Sequence, residues 1–248
     1  MTKTMLVTGG SRGIGAAVCR RAATAGYDVA INFAGRADAA EAVAVDVRAA
    51  GRRALVVKAD VTEPAERTAL FERTVTELDG LDVFVNNAGI IHEAAPLAEL
   101  DEDVIRRVLD VDLTAALLAA REAVRRMSPA RGGRGGVIVT TSSIAARLAG
   151  LGGFLPYAMA KAAVDVMTEG LGREVAGQGI RVCQVRPGLI ATDIHDDTGE
   201  TRRLEKLAPS VPLGRVGTAD EVAAAILWLC SDDASYVAGA SLDVSGGR

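Results

Sequence analysis

Thr4-Met-Leu-Val-Thr-Gly-Gly-Ser-Arg-Gly-Ile-Gly15 is the stretch that decides the fold. Thr4 to Thr8 is apolar or β-branched on both faces, the pattern of a strand buried inside a sheet. Glycines at 9, 13 and 15 permit a tight turn and a close backbone approach to a pyrophosphate. A helix is expected from about Ile14 to Ala25; its free N–H groups and positive dipole end would face that anion. The spacing is G-x-x-x-G-x-G, not the commoner G-x-G-x-x-G. Taken alone, such a turn is also compatible with a purely structural role.

Outward from this unit the same alternation repeats. Asp28 to Phe33, Ala54 to Ala59, Asp82 to Asn86, Val137 to Ser142, Ile180 to Arg186 and Ser241 to Val244 read as strands. Ala-rich helical segments lie between them. The longest are expected over Glu102 to Arg126 and Tyr157 to Ala176, and another over Ala219 to Cys230. Buried strands alternating with helices predict an α/β fold: a doubly wound, Rossmann-type parallel sheet with helices on both faces. No linker or composition shift divides residues 1–248, so one domain is expected to carry every site. Gly188 to Pro212 breaks the rhythm. It is polar, holds Asp193, Asp196, Asp197 and Glu200, and reads as a lid or binding loop.

Composition narrows the function classes. Of the 248 residues, 49% are hydrophobic and 24% charged, with a formal net charge of −4. No basic stripe suggests nucleic acid, and no apolar run approaches the ~18 residues of a membrane span. The N-terminus does not read as a signal peptide. Cys19, Cys183 and Cys230 are odd in number and far apart, which fits free thiols in a reducing, cytoplasmic compartment. His92 and His195 have no neighbour at ligand spacing, so a catalytic zinc site is not expected.

Four motifs in order make the reading specific. Thr8 to Gly15 (TGGSRGIG), Asn86-Asn87-Ala88-Gly89, Tyr157-Ala-Met-Ala-Lys161 and Arg186-Pro187-Gly188 together resemble the classical short-chain dehydrogenase/reductase family. The similarity runs to the closing Asp243-Val244-Ser245-Gly246-Gly247 and covers essentially the whole chain. It is closest to members of the glucose 1-dehydrogenase-like and 3-oxoacyl-carrier-protein reductase-like branch. The resemblance implies an oxidoreductase that uses NADP or NAD on a small carbonyl or alcohol, assembled as a homotetramer. It places Gly9, Ser11, Arg12, Gly13, Ile14 and Gly15 on the cofactor. Asp60 and Val61 are implied at the adenine, and Asn86 to Gly89 at the ribose. Pro187, Gly188, Ile190 and Thr192 are implied at the nicotinamide. Read without the resemblance, Asp60 is equally a turn residue at a helix start.

The end of the second strand bears on cofactor choice. An acid there would bond a ribose and repel a 2′-phosphate. Asn32-Phe33-Ala34 has none, whereas Arg12 and Arg36 lie close by, and guanidinium groups suit phosphate oxygens. NADP(H) is therefore expected, with NAD(H) possible; the alternative for Arg36 is a helix-start residue in solvent.

Tyr157 and Lys161, four residues apart on a helix, share a face. An ammonium beside the phenol is expected to lower its ionisation from ~10, giving an acid/base for a carbonyl or alcohol. Ser143, fourteen residues earlier, matches the family serine that bonds the substrate oxygen, and Lys161 is implied at the cofactor ribose. One residue departs from the family: Val111-Asp112-Leu113-Thr114 carries Asp112 where Asn is usual. As a carboxylate ~7 Å from the phenol it would offset the lysine by on the order of 2 kcal/mol, roughly one pH unit or slightly more. The alternative function is a cofactor-binding protein of weak turnover that serves as a sensor or scaffold. The substrate pocket is expected from Ile90 to Pro96, Ala145 to Leu155 and the 188–212 loop. These hold His92, Leu148, Leu151 and Phe154.

Overall fold

The seven expected strands all form and lie together in one parallel sheet. The computed structural model describes residues 2–192 and 203–248. Its strands are β1 (Thr4–Val7), β2 (Asp28–Phe33), β3 (Ala54–Lys58), β4 (Val83–Asn86), β5 (Gly136–Thr141), β6 (Ile180–Pro187), β7 (Ile190–Ala191), β8 (Gly217–Thr218) and β9 (Ser241–Val244). The large sheet has the order β3-β2-β1-β4-β5-β6-β9, and β7 pairs with β8 beside it.

Alternate residues of each strand enter opposite cores. Met5 and Val7 of β1 join Val29 and Ile31 of β2 under α1 (Gly13–Thr24), α2 (Ala37–Ala49) and α8 (Ala219–Cys230). Leu6, Phe84 and Ile138 pack into the other core, under α3 (Pro64–Glu77), α5 (Ala116–Met127) and α6 (Leu155–Val175). Both faces are covered, which explains why the strands carry no polar alternation. The three cysteines are free and buried.

Strand order reverses between β1 and β4. Their C-terminal ends open a crevice there, the usual ligand position in open α/β sheets.

Two elements differ from the sequence reading. The long helix expected over Glu102–Arg126 is α4 (Glu102–Leu109) and α5, joined by a π-helical turn over Asp110–Ala115. A π turn leaves the side-chain pattern helical while shifting the hydrogen-bond register. Residues 188–212 are in part built: β7 and α7 (Arg203–Leu207) belong to them. Asp193, His195, Asp196, Asp197 and Glu200 lie outside the described residues. Among the described residues no helix is long and apolar enough to cross a membrane.

Candidate active site

The glycine turn is shaped by contacts that allow no side chain. Gly9 and Gly13 have φ of 63° and 53°, a region open mainly to glycine. A Cβ on Gly15 would lie 2.2 Å from the carbonyl oxygen of Gly9. Gly15 therefore packs α1 against the turn, behind the cleft rather than in its wall. α1 starts after Arg12 with no side-chain cap, so its first N–H groups are left for a ligand.

The second motif is tied to the first across the switch point. Thr8 Oγ1 accepts from the backbone N–H of Asn87 (2.9 Å) and Ala88 (3.1 Å). Asn87 Nδ2 donates to Thr8 O (3.0 Å), and Thr141 Oγ1 donates to Asn87 Oδ1 (3.2 Å). The ends of β1, β4 and β5 are thereby fastened together. From β2, Asn32 Nδ2 donates to Ala59 O (2.9 Å), while Gly10 N donates to Asn32 O (2.8 Å).

A cleft of 530 Å³ runs along these ends. Ser11, Arg12, Gly13 and Ile14 line it with Gly9, and Arg36, Asp60 and Val61 stand at one end. Asn87, Ala88 and Gly89 form its floor; Ser143, Tyr157 and Lys161 meet at the other end, beside Pro187, Gly188, Ile190 and Thr192.

Besides Gly15, three expected residues are elsewhere. Asn86 is buried and turned away from the cleft: its Nδ2 donates to Ala116 O (2.8 Å), where the π turn passes into α5. It shapes the helix instead of lining a ribose site. His92 is buried against Phe154, not in the pocket wall. Asp112 lies behind Gly89 and Lys161: a Cβ on Gly89 would be 2.8 Å from its Oδ1 and 3.2 Å from Lys161 Nζ.

Asp60 makes the local turn and also lies at the cleft. Its Oδ1 accepts from Thr62 N (2.9 Å) and Thr62 Oγ1 (2.7 Å). Burial works to raise its pKa, yet the Thr62 donors and Arg107 bring it below the ordinary value. Arg107, 3.6 Å from Asp60, is a cleft cation that the sequence reading missed. Its neighbour Arg106 pairs with Glu102 on the outer face of α4; that i,i+4 pairing was the available sign that Arg107 points elsewhere.

Ser142 and Ser143 have distinct jobs. Ser142 Oγ donates to Asp165 Oδ1 (2.6 Å), part of a structural cluster with Gln184 and Arg186. Ser143 is left at the cleft with Tyr157, and its Oγ accepts from Ala145 N (3.1 Å). Lys161 is nearly buried. Its Nζ donates to Thr141 O (3.2 Å) and lies 5.6 Å from the Tyr157 ring centre. Burial pushes the Tyr157 phenol above its ordinary value; Lys161 and Ser143 pull it down and Asp112 pushes it up. The lowering expected from the lysine is present, but desolvation outweighs it in the free chain.

A glycine cradle at an uncapped helix start, Arg12, Arg36 and Arg107 along the cleft, and a Tyr–Lys–Ser group at its far end suit a dinucleotide with its reacting end beside a phenol. The fold and this arrangement define a nucleotide-dependent oxidoreductase. A family model described as "Enoyl-(Acyl carrier protein) reductase" matches residues 9–248. "Uncharacterized oxidoreductase YgfF" of Escherichia coli is 44% identical over 98% of this chain and 98% of its own. A 3-oxoacyl-(acyl-carrier-protein) reductase, FabG, of Staphylococcus aureus is 35% identical over 100% of this chain and 98% of its own. A crystal structure of a short chain dehydrogenase from Burkholderia cenocepacia in complex with NADP superposes with a TM-score of 0.91 at 36% identity, covering 99% of this chain and 97% of that one. The chain belongs to the short-chain dehydrogenase/reductase family. It is an oxidoreductase of that family with a nicotinamide cofactor.

Proposed function

We propose that one domain carries both sites and transfers hydride between NADP(H) and a carbonyl or secondary alcohol. The observation that carries this reading is the meeting of Tyr157, Lys161 and Ser143 in the cleft that the glycine turn begins. When bound, the nicotinamide supplies the hydride chemistry. Ser143 holds the substrate oxygen and steadies its developing charge. Tyr157 gives that oxygen its proton, or takes one from an alcohol. Lys161 supports the phenol and borders the ribose side. Burial keeps the phenol protonated, the form that can give its proton to a carbonyl oxygen.

The cofactor phosphate would be held by the α1 start with Ser11 and Arg12. Arg36 is exposed, with Asp38 3.9 Å away, and is available to a 2′-phosphate; no acid ends β2 to repel one. The substrate end, with Ile91, Leu148, Leu151 and Phe154, suits an apolar carbonyl. Leu117, Met159 and Val166 are exposed on α5 and α6, a face that supports a homotetramer, and the buried free thiols support a cytoplasmic setting. The test is NADPH and NADH oxidation against a carbonyl panel, repeated with Arg36→Ala. NADPH should be preferred, and the variant should narrow the gap. Cofactor binding without turnover of any carbonyl would favour the sensor reading instead.

A further inference from the structure

Tyr157, Lys161 and Asp165 follow one another four residues apart along α6, so they share one face. The first two line the cleft; Asp165, one turn further on, does not. Its side chain is 14% exposed, and its carboxylate gathers donors from two strands. Oδ1 accepts from Ser142 Oγ, just past β5 (2.6 Å), and from Gln184 Nε2 of β6 (2.6 Å). Oδ2 accepts from Arg186 Nε, also of β6 (2.8 Å). Ser142 adjoins Ser143, and Arg186 precedes Pro187 and Gly188 of the cleft wall. One side chain thus binds the helix of the phenol and the ammonium to both strand ends that complete the site.

The donors are themselves fixed. Gln184 is fully buried; its amide also donates to Ser241 Oγ of β9 (2.6 Å), and its Oε1 accepts from Thr168 Oγ1 of α6 (3.0 Å). Arg186 continues outward to Asp243 Oδ1 (3.2 Å), and Asp243 Oδ2 accepts from Arg147 Nη1 (2.5 Å) at the start of the substrate rim. Asp165, Arg186, Asp243 and Arg147 alternate in sign, so the chain of charges is neutral. Apolar packing between α6 and the strands would tolerate small slides, whereas three bonds converging on one carboxylate admit a single register. We propose that Asp165 is a positioning residue for the reaction, one that sets the spacing between Ser143 and the Tyr157–Lys161 pair. Through Arg186 and Asp243 it ties that spacing to the rim at Arg147. Misplacement of reacting groups by about 1 Å can lower turnover by about 10²-fold even when the altered residue is remote.

The effect on turnover rests on the proposed function; the hold on the strand ends does not. An amide keeps the volume of Asp165 but has one accepting oxygen, whereas donors arrive at both carboxylate oxygens, so Asp165→Asn must lose one side of the bridge. Hydrogen exchange of the cofactor-free protein should be faster in this variant over residues 142–146 or 186–190. Thr168→Val, which leaves all three donors on Asp165, should not show that acceleration. Unchanged exchange in Asp165→Asn, or equal acceleration in Thr168→Val, would overturn the proposal. In carbonyl reduction, Asp165→Asn should lower kcat by about tenfold or more while NADPH affinity stays within about twofold, because the glycine turn is untouched. Thr168→Val should lower the thermal midpoint and leave kcat unchanged. A wild-type kcat in Asp165→Asn, or kcat losses in the two variants that merely track their thermal midpoints, would make Asp165 a stability residue and sink the proposal. A wild type that turns over no carbonyl would refute the proposed function instead, and the exchange result would then decide the positioning role.

Discussion

Replacing Lys161 by Met removes a nearly buried charge while keeping most of the side-chain volume, and it tests the coupling at the centre of the site. Nζ lies 5.6 Å from the Tyr157 ring centre. At an effective dielectric of ~20, two unit charges at that separation interact by on the order of 3 kcal/mol. Divided by the free energy of one pKa unit, this is roughly two pH units. The sign follows from the ammonium favouring tyrosinate, so its loss moves the ionisation of Tyr157 upward, adding to the rise that burial already imposes. The assay is ultraviolet absorbance of tyrosinate against pH on cofactor-free protein. The chain has 3 tyrosines, which keeps the signal tractable. Tyr236 is fully exposed, Tyr27 is pushed up to about 12 by burial, and Tyr157→Phe identifies the component that belongs to Tyr157. In Lys161→Met that component should move into or beyond the Tyr27 range. An unmoved midpoint, or one that falls, would show that the lysine does not act on the phenol and would refute the electrostatic argument.

Tyr157→Phe should retain NADPH affinity in a fluorescence titration and lose turnover by about 10²-fold or more, since only the transferable proton is gone; near-normal kcat would move the acid/base role elsewhere. Gly15→Ala drives a methyl to within 2.2 Å of Gly9 O; the thermal midpoint should drop, with overpacking of about 1–3 kcal/mol, and NADPH binding should weaken with it. Asp28 is 2% exposed and accepts four bonds from Arg52 and Arg53, among them Arg53 Nε at 2.6 Å. Burial opposes its ionisation, but these donors hold its pKa below the ordinary value. A lowered folded-state pKa contributes stability that is full above the unfolded value near ~3.9 and fades as pH falls through the folded one. Urea unfolding at neutral pH should therefore show Asp28→Asn weaker by about 1–3 kcal/mol, with the gap closing in acid; a gap that widens in acid would reverse the assigned sign.

Much of this molecule is legible in its residues. The strands announce themselves because both faces are buried, so most positions are apolar or β-branched. The Tyr157–Lys161 pair is legible because four residues on a helix mean one face, and Ser143 because it follows a strand end. What escaped depends on register and direction, which side-chain periodicity does not encode. The π turn keeps a helical pattern through Asp110–Ala115, so Glu102–Arg126 read as one helix. Asn86 and Asn87 are adjacent in a strand end and point opposite ways; the first bonds Ala116 and the second the glycine turn. His92 reads as pocket lining because its segment borders the cleft, yet its ring is folded behind Phe154. For Tyr157, sequence shows the neighbouring charge but not the depth of burial that opposes it.

The bonds linking Thr8, Asn87 and Thr141 divide the molecule into two parts with different freedom to change. Three parallel strand ends fastened to one another make a rigid frame that needs no ligand to assemble it, so ordering it draws nothing from the affinity for the cofactor. The substrate end is another kind of construction. Leu148 and Leu151 are partly or largely exposed on a turn with Ala149 at φ 51° and positive φ at Gly150, Gly152 and Gly153, tied to the sheet by the ion pair of Arg147 with Asp243. Such a rim can be lengthened, shortened or re-faced without disturbing the strand ends beneath it. Divergence in what enters the cleft should therefore accumulate there while the frame stays unchanged, and exchanging residues 145–155 for another sequence is the graft this architecture accepts with least loss of stability.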